Sequence, residues 1–319
     1  HGNQNTSEAV KSLEKFGLLD SFWTTIAFPF SFKIKLKKIR IRFLKEIFRR
    51  ICIFLNLKKF YLYDENILSV HSISRDLDFA VSKYMSKNKN NINAIYTYED
   101  CALNSFRFAK KNNIKTIYDL TAPYWLLTKK ILKDELNLQP KWNLSSTEIL
   151  NTSSKKCANK NEEILLSDQI IVASSFTARS LELLNKNIKS KIKIVPYGIT
   201  CPKNNKINKR HENEELKIIF AGRLTLSKGI QYLIKILQKI DFPWKLEIAG
   251  SVPEKPSEIS EELNLFLKDP RCIYLGQIPN KKLVERMKNN HLFVFPSLFD
   301  GFGQVILEAL SCSLPIITT

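Results

Sequence analysis

Short apolar runs that alternate with helical patterns are the feature that most constrains the fold of this chain. The second half contains four such runs, each followed by a segment of helical periodicity: LKIIFAG (216–222), WKLEIAG (244–250), CIYLG (272–276) and HLFVFP (291–296). The first half shows the same alternation from residue 93, most clearly at NAIYTYED (93–100) and IKTIYDL (114–120). Strands that alternate with helices predict parallel sheets. The predicted fold class is therefore α/β.

A polar run from Thr200 to Glu215 divides this alternation into two parts. The 319 residues suffice for two α/β domains, since domains average roughly 100 to 200 residues. We predict an N-terminal domain at 1–200, a linker at 201–215 and a C-terminal domain at 216–319, with a small-molecule cleft between the two sheets. The chain begins in what looks like mid-element and ends just after a strand-like run. We therefore expect a fragment truncated at both ends, without its first strand and its closing segments.

The charge of the chain is strongly basic. Lys and Arg number 50 against 31 Asp and Glu, a net charge of +19. Such a charge suits nucleic acid, anionic lipid or phosphorylated ligands, but a composition rich in Lys, Asn and Ile produces it without any partner. No recognised nucleic-acid motif accompanies the charge, which disfavours RNA and DNA.

The basic residues concentrate between Ser31 and Phe60. This segment has eleven Lys or Arg and a single acid, Glu46, interleaved with apolar residues at near-helical spacing. Basic amphipathic segments bind anionic membrane surfaces. The alternative is an ordinary surface helix whose apolar face packs on its own sheet.

The cysteine and histidine patterns indicate neither disulfides nor a metal. The six cysteines are scattered without a CxxC pair, and the four histidines are dispersed. We expect free thiols in a reducing cytoplasm and no metal site. No apolar run approaches the roughly 20 residues of a membrane-spanning helix. We therefore expect a cytoplasmic protein, with residues 31–60 as its contact to the inner face of the membrane.

The stretch AGRLTLSKG (221–229) has the pattern of an anion site. It places Gly222 and Arg223 at the end of a strand and Lys228 just before a helix. Guanidinium and ammonium groups beside the positive end of a helix dipole bind anions, and a diphosphate is the natural occupant. A solvated turn is the alternative, because strand ends often carry Arg and Lys.

The stretch FVFPSLFDGFGQVILE (293–308) is the densest in chemistry. Asp300 lies in a glycine-containing loop after a buried run, and Glu308 lies in the apolar helix that follows. The two acids are candidates for acid–base groups or acceptors of sugar hydroxyls. They are also candidates for a helix-stabilising charge and a solvent-facing residue. Phe302, between two glycines, is predicted to form a wall of the pocket.

Together these two stretches resemble the donor-binding half of the retaining glycosyltransferases of family four. That family has the GT-B fold, in which two Rossmann-like, doubly wound parallel-sheet domains face a cleft. Its pattern is a Gly-Arg and a Lys-Gly around the diphosphate, then an acid, seven residues and a Glu around the sugar and ribose. The first acid is commonly Glu, one methylene longer than the Asp300 of this chain.

The resemblance implies roles for individual residues. Arg223 and Lys228 become the diphosphate clamp, Asp300 faces the donor sugar and Glu308 accepts the ribose hydroxyls. The residues implied in catalysis are Asp300, Arg223 and Lys228. The implied donor site comprises Gly222, Arg223, Lys228, Asp300, Phe302, Gly303, Gln304 and Glu308.

The N-terminal half is similar to the same superfamily in outline. HGN at the start occupies the position of a loop that approaches the donor phosphate or the acceptor, and Asp119 the position of a polar active-site residue. The implied acceptor-side residues are therefore His1, Gly2, Asn3 and Asp119. VPYGI (195–199) resembles the turn before the interdomain linker.

The activity that the resemblance implies is a retaining transfer of sugar from a nucleoside-diphosphate sugar to a glycan or lipid-linked acceptor. Such a transfer serves the synthesis of envelope polysaccharide, glycolipid or another glycoconjugate, and we expect it to need no metal or other cofactor. Two alternatives stay open. One is a sugar-nucleotide epimerase or hydrolase of the same fold, and the other a non-catalytic basic module that binds membrane or nucleic acid.

Overall fold

The protein is described by a computed structural model that covers residues 4–26, 38–142, 147–199, 201, 210–212, 214–252 and 260–319. The acceptor-side candidates His1, Gly2 and Asn3 lie outside these residues. The chain divides into an N-terminal unit, His1–Thr121 with Thr152–Val195, and a C-terminal unit, Ala122–Asn151 with Pro196–Thr319.

The elements up to residue 195 belong mostly to the N-terminal unit. In chain order they are α1 (Gln4–Lys15), β1 (Phe22–Thr24), β2 (Ile39–Ile41), α2 (Leu44–Phe54), α3 (Val70–Asn88), β3 (Ala94–Tyr98), α4 (Leu103–Lys111), β4 (Lys115–Leu120), α5 (Trp125–Leu138), α6 (Thr147–Leu150), α7 (Ser154–Leu166), β5 (Gln169–Val172), α8 (Ser175–Ser180) and β6 (Ile192–Ile194). Strands β3, β4, β5 and β6 form a parallel sheet in that order, and β1 pairs with β2 in a separate parallel sheet.

The remaining elements build the C-terminal sheet and its covering helices. They are β7 (Leu216–Ala221), α9 (Ile230–Leu237), β8 (Trp244–Ala249), α10 (Glu261–Phe266), β9 (Cys272–Gly276), α11 (Asn280–Lys288), β10 (Leu292–Phe295), α12 (Gln304–Ser311) and β11 (Ile316–Thr318). The sheet is parallel, in the order β11–β10–β7–β8–β9. Parallel sheets alternating with helices in both units confirm the predicted α/β class.

The order of the C-terminal strands determines where a ligand can bind. From β7 the chain adds β8 and β9 on one side, then returns to place β10 on the other side of β7. In open parallel sheets, ligands bind beyond the carboxyl ends of the strands at the point where the order reverses. In this sheet, that point lies between the ends of β7 and β10.

The core of the C-terminal unit includes side chains from the first half of the sequence. Leu132 in α5 and Trp142 just after it are each 1% exposed, and both join the cluster that surrounds β7 and α9. The indole Nε1 of Trp142 also donates a hydrogen bond to Glu262 (2.9 Å). The segment Ala122–Asn151, which the sequence analysis includes in the N-terminal domain, thus packs as part of the C-terminal unit.

Candidate functional site

A cavity of about 310 Å³ lies at the carboxyl edge of the C-terminal sheet. Its walls come from the ends of strands β7 to β10 and from the first half of α12. Six of the eight predicted donor-site residues line it: Gly222, Lys228, Asp300, Gly303, Gln304 and Glu308. Residues up to 86 positions apart in the sequence therefore meet at one place, because 308 minus 222 is 86.

Lys228 and Asp300 form an ion pair in the wall of this cavity. The Nζ of Lys228 donates to the Oδ2 of Asp300 at 2.5 Å, with both side chains partly exposed. The same ammonium lies 5.4 Å from the centroid of the Phe295 ring. The carboxylate and the electron-rich face of the aromatic ring both attract the ammonium, and together they fix its position.

Close backbone packing at Gly229 places the turn that carries Lys228 against the end of β10, the strand that leads to Asp300. Gly229 has a φ of +70°, and a Cβ at this position would lie 1.6 Å from the carbonyl oxygen of Pro296. The amide of Leu298 donates to the carbonyl of Ser227 at 2.9 Å. The two segments that carry the ion pair are therefore joined through their backbones.

The carboxylate of Glu308 accepts a hydrogen bond from a neutral amide and not from a cation. It lies in α12, and the Nδ2 of Asn280, the first residue of α11, donates to its Oε1 at 2.6 Å. Burial raises the pKa of Glu308, and the hydrogen bond from Asn280 opposes this with a smaller effect. A partly buried carboxylate gains from each further donor that approaches it. Glu308 is therefore suited to accept hydroxyl groups from a ligand.

Two predicted site residues are not in the lining of the cavity. Arg223 follows Gly222 at the end of β7 and is exposed. The ring of Phe302 packs edge-on against Tyr197, with centroids 5.4 Å apart and planes at 77°. Phe302 thus contacts Tyr197 and is not among the residues that line this cavity.

Asp119 lies in β4 of the N-terminal unit. Its carboxylate is buried and accepts a hydrogen bond from the Tyr96 hydroxyl at 2.5 Å. Burial raises the pKa of Asp119, while the hydrogen bond from Tyr96 has the opposite, smaller effect. The structure therefore gives Asp119 a polar partner on the neighbouring strand near the carboxyl edge of its sheet.

Sequence reasoning missed several residues of the cavity. Gln277 follows β9 and lines the cavity, and Asn280 orients Glu308 from a different helix. Gly250 also lines it, and a Cβ there would lie 1.8 Å from the carbonyl oxygen of Gly222. A signal for Gly250 was present, since β7 and β8 both end in Ala and a Gly follows each of them. The role of Asn280 had no such signal.

Sequence reasoning also missed a buried carboxylate near the carboxyl end of β3. The buried carboxylate of Glu163 accepts hydrogen bonds from the backbone amides of Asp100 (3.0 Å) and Ala102 (3.1 Å) and from the Tyr118 hydroxyl (3.0 Å). Burial, the largest effect, raises the pKa of Glu163 to about 7. This carboxylate belongs to the internal support of the N-terminal unit.

Comparisons with known proteins agree with this architecture. Residues 202–319 match the family described as Glycosyl transferases group 1. An uncharacterized glycosyltransferase of Methanocaldococcus jannaschii is 31% identical over 163 residues, which are 48% of this chain and 39% of the relative. The capsular polysaccharide biosynthesis glycosyltransferase CapM of Staphylococcus aureus is 32% identical over 123 residues, 36% of this chain and 32% of the relative. The chain thus spans less than half the length of these curated relatives.

Among solved structures, the apo structure of OtsA superimposes with a TM-score of 0.58 at 12% identity. The match covers 99% of this chain and 80% of OtsA. Identity this low is informative about the fold alone. Together with the parallel sheets of both units, it confirms the predicted GT-B fold class.

Proposed function

We propose that the protein transfers a sugar from a nucleoside-diphosphate sugar to an acceptor, because residues 202–319 match the family described as Glycosyl transferases group 1. One observation carries this proposal. Lys228, Asp300 and Glu308 line a single cavity at the point where the strand order of the C-terminal sheet reverses. Nucleotides bind at this point in open α/β sheets.

Lys228 is assigned to the diphosphate. It directly precedes Gly229, the N-cap of α9, so its ammonium lies close to the positive end of that helix. A departing nucleoside diphosphate gains negative charge, and a cation already in place stabilises that charge. Arg223 is assigned to the same clamp, because it is adjacent to the cavity-lining Gly222 and has a long, exposed side chain.

The ion pair of Lys228 with Asp300 suggests how the donor is received. A diphosphate competes with the Asp300 carboxylate for the ammonium, since both are anionic ligands of the same group. Once Asp300 is released from Lys228, its carboxylate can accept hydrogen bonds from hydroxyl groups of the donor sugar. Glu308 keeps the hydrogen bond of Asn280 on one oxygen and has acceptor capacity for the ribose on the other.

The reaction is assigned as retaining by family resemblance. The acceptor then attacks from the face of the leaving group, and no enzymic nucleophile is required. We assign no metal or cofactor to the reaction. The name of CapM supports a glycan acceptor in capsular or related polysaccharide synthesis. Asp119 of the N-terminal unit, together with His1, Gly2 and Asn3, is assigned to the acceptor side.

The assignment of Lys228 is tested by ligand binding. Lys228→Ala should lower the affinity for UDP, GDP or ADP, whichever binds the wild type, by at least about tenfold, since it removes a charge-assisted contact worth roughly 1.5 to 3 kcal/mol. Arg223→Ala should lower the affinity in the same direction. Isothermal titration calorimetry measures both changes.

The matched control is Lys268→Ala, which removes an exposed lysine of the same unit outside the cavity. Unchanged nucleotide affinity in Lys228→Ala would refute the diphosphate assignment. Product analysis with and without acceptor tests the reaction itself. Free sugar or an epimerised nucleotide sugar as the product, in place of a glycoside, would contradict a transferase.

A further inference from the structure

Helix α2 presents its apolar side to solvent. Six apolar residues at helical spacing form what we term the apolar face of α2, with exposed fractions from 45% to 88%: Leu44, Ile47, Phe48, Ile51, Phe54 and Leu55. Contiguous exposed apolar surface on a protein marks a contact with a partner or a membrane. The sequence alternative, in which this face packs on the protein's own sheet, does not fit the exposure of these residues.

The other side of the same helix has one buried carboxylate, that of Glu46. Glu46 is 4% exposed and its carboxylate accepts hydrogen bonds from Arg49 (2.7 and 2.9 Å) and Arg50 (2.9 Å). Just before the helix, the Nε of Arg42 donates to the carboxylate of Asp76 in α3 at 2.8 Å. The contact of Arg42 with Asp76 ties the start of α2 to α3. The buried Glu46 lies on the side of α2 away from the apolar face.

The surroundings of the apolar face are basic. The described part of the basic segment, 38–60, contains a single acid and eight Lys or Arg: Lys38, Arg40, Arg42, Lys45, Arg49, Arg50, Lys58 and Lys59. Residues 31–37 lie outside the described residues. Lys58, Lys59 and Arg50 are exposed, so positive charge borders the apolar surface. This combination matches a membrane interface with anionic head groups.

We propose that the apolar face of α2 docks on an anionic lipid surface. The phenylalanine, leucine and isoleucine side chains enter the boundary between head groups and acyl chains, and the flanking basic residues contact the head groups. A second copy of the chain is a poorer occupant, because it would bring two basic segments together in a protein of net charge +19. Within the described ranges no helix is both long and apolar enough to cross a bilayer. Docking is therefore proposed as peripheral contact, independent of the transferase assignment.

Vesicle co-sedimentation tests this proposal with the full chain. We expect binding to phosphatidylcholine vesicles that contain 30% phosphatidylglycerol, weaker binding in 0.5 M NaCl, and at least tenfold weaker binding to pure phosphatidylcholine. The variant Leu44→Ser/Phe48→Ser should lose at least tenfold in affinity for the anionic vesicles. Both residues are largely exposed (65% and 57%), so the fold should persist, which circular dichroism checks.

The matched control is Ile236→Ser/Leu265→Ser, which removes two helical apolar residues of similar exposure (58% and 61%) from the C-terminal unit. This control should bind vesicles like the wild type. Equal vesicle binding by the α2 variant and the wild type would overturn the proposal, as would equal losses in both variants. Binding to duplex DNA but not to vesicles would also overturn it. So would a dimer in sedimentation equilibrium that only the α2 variant disrupts.

Discussion

The two carboxylates of the C-terminal cavity differ in what holds them. Asp300 accepts from the ammonium of Lys228, whereas Glu308 accepts from the neutral amide of Asn280. A ligand anion competes directly with Asp300 for its partner, but leaves the contact between Asn280 and Glu308 intact. The cavity thus combines a carboxylate that a phosphate can displace from its cation, Asp300, with a carboxylate that keeps its orientation, Glu308.

The buried Glu163 gives the N-terminal unit a predicted pH dependence. Its folded-state pKa of about 7 lies above the ordinary glutamate value of 4.5. The folded state therefore binds a proton more tightly than the unfolded state. The contribution to stability is present in full below about pH 4.5 and is lost as the pH rises through 7, an effect of at most about 3 kcal/mol.

Replacing this carboxyl should flatten that dependence. In Glu163→Gln the free energy of unfolding should fall less between pH 5 and pH 8 than in the wild type, whatever its absolute value. Urea unfolding at several pH values measures the difference. The control is Glu162→Gln, because the hydrogen bond and the charge of Arg107 keep the pKa of Glu162 below its ordinary value, outside this range. Identical slopes for Glu163→Gln and the wild type would contradict the assignment.

The turn before α9 shows how one element positions the site. Gly229→Ala should destabilise the C-terminal unit by about 2 to 4 kcal/mol, because the new Cβ meets the Pro296 carbonyl and a φ of +70° disfavours a side chain. Nucleotide affinity should fall as well, since the backbone contact that holds Lys228 near Asp300 is lost. Chemical denaturation and calorimetry measure the two effects.

Gly17 supplies a matched control for this change. It also has a φ of +70°, but a Cβ there meets nothing within 4 Å. Gly17→Ala should therefore cost only the conformational strain, about 1 kcal/mol. Similar losses in the two variants would show that strain, and not the contact with Pro296, dominates at Gly229.

The sequence predicted most strands of the C-terminal sheet and the site residues at their ends. Alternating apolar runs and helical patterns predicted strands β7 to β10. Since the ends of parallel strands share one edge, Lys228 and Asp300 could be expected near each other. The contact of Asn280 with Glu308 could not, because it depends on the relative rotation of two helices.

Helix α2 shows the same limit more clearly. Its periodicity predicts two faces but does not say which one turns toward the protein. The buried Glu46 and the exposed Phe48 answer that question. The answer depends on Asp76 in α3, which lies far along the chain and anchors Arg42. Local sequence contains no information about that partner.

At the scale of the whole molecule, the unit boundary does not follow the sequence. The polar run at 200–215 separates two sets of strands, but α5 packs on α9 in the C-terminal unit. Glu135 accepts a hydrogen bond from the buried amide of Gln231 at 3.1 Å. A chain segment can leave one unit and return to it, and neither composition nor periodicity marks such an excursion. The apolar positions of α5 predict a buried face without naming the unit that buries it.

Because α5 packs in the C-terminal unit, we predict that a mutation in the first half of the chain lowers the stability of the C-terminal unit. Leu132→Ala removes a side chain that is 1% exposed from the cluster containing Ile230 and Ile234, so it should destabilise the C-terminal unit by about 2 to 5 kcal/mol. Amide hydrogen exchange should accelerate in α9, while β4 in the N-terminal unit keeps its protection. Leu138→Ala on the same helix removes a side chain that is 69% exposed and should cost less than about 0.5 kcal/mol. Faster exchange in β4 with no change in α9 would instead assign α5 to the N-terminal unit, as the sequence suggested.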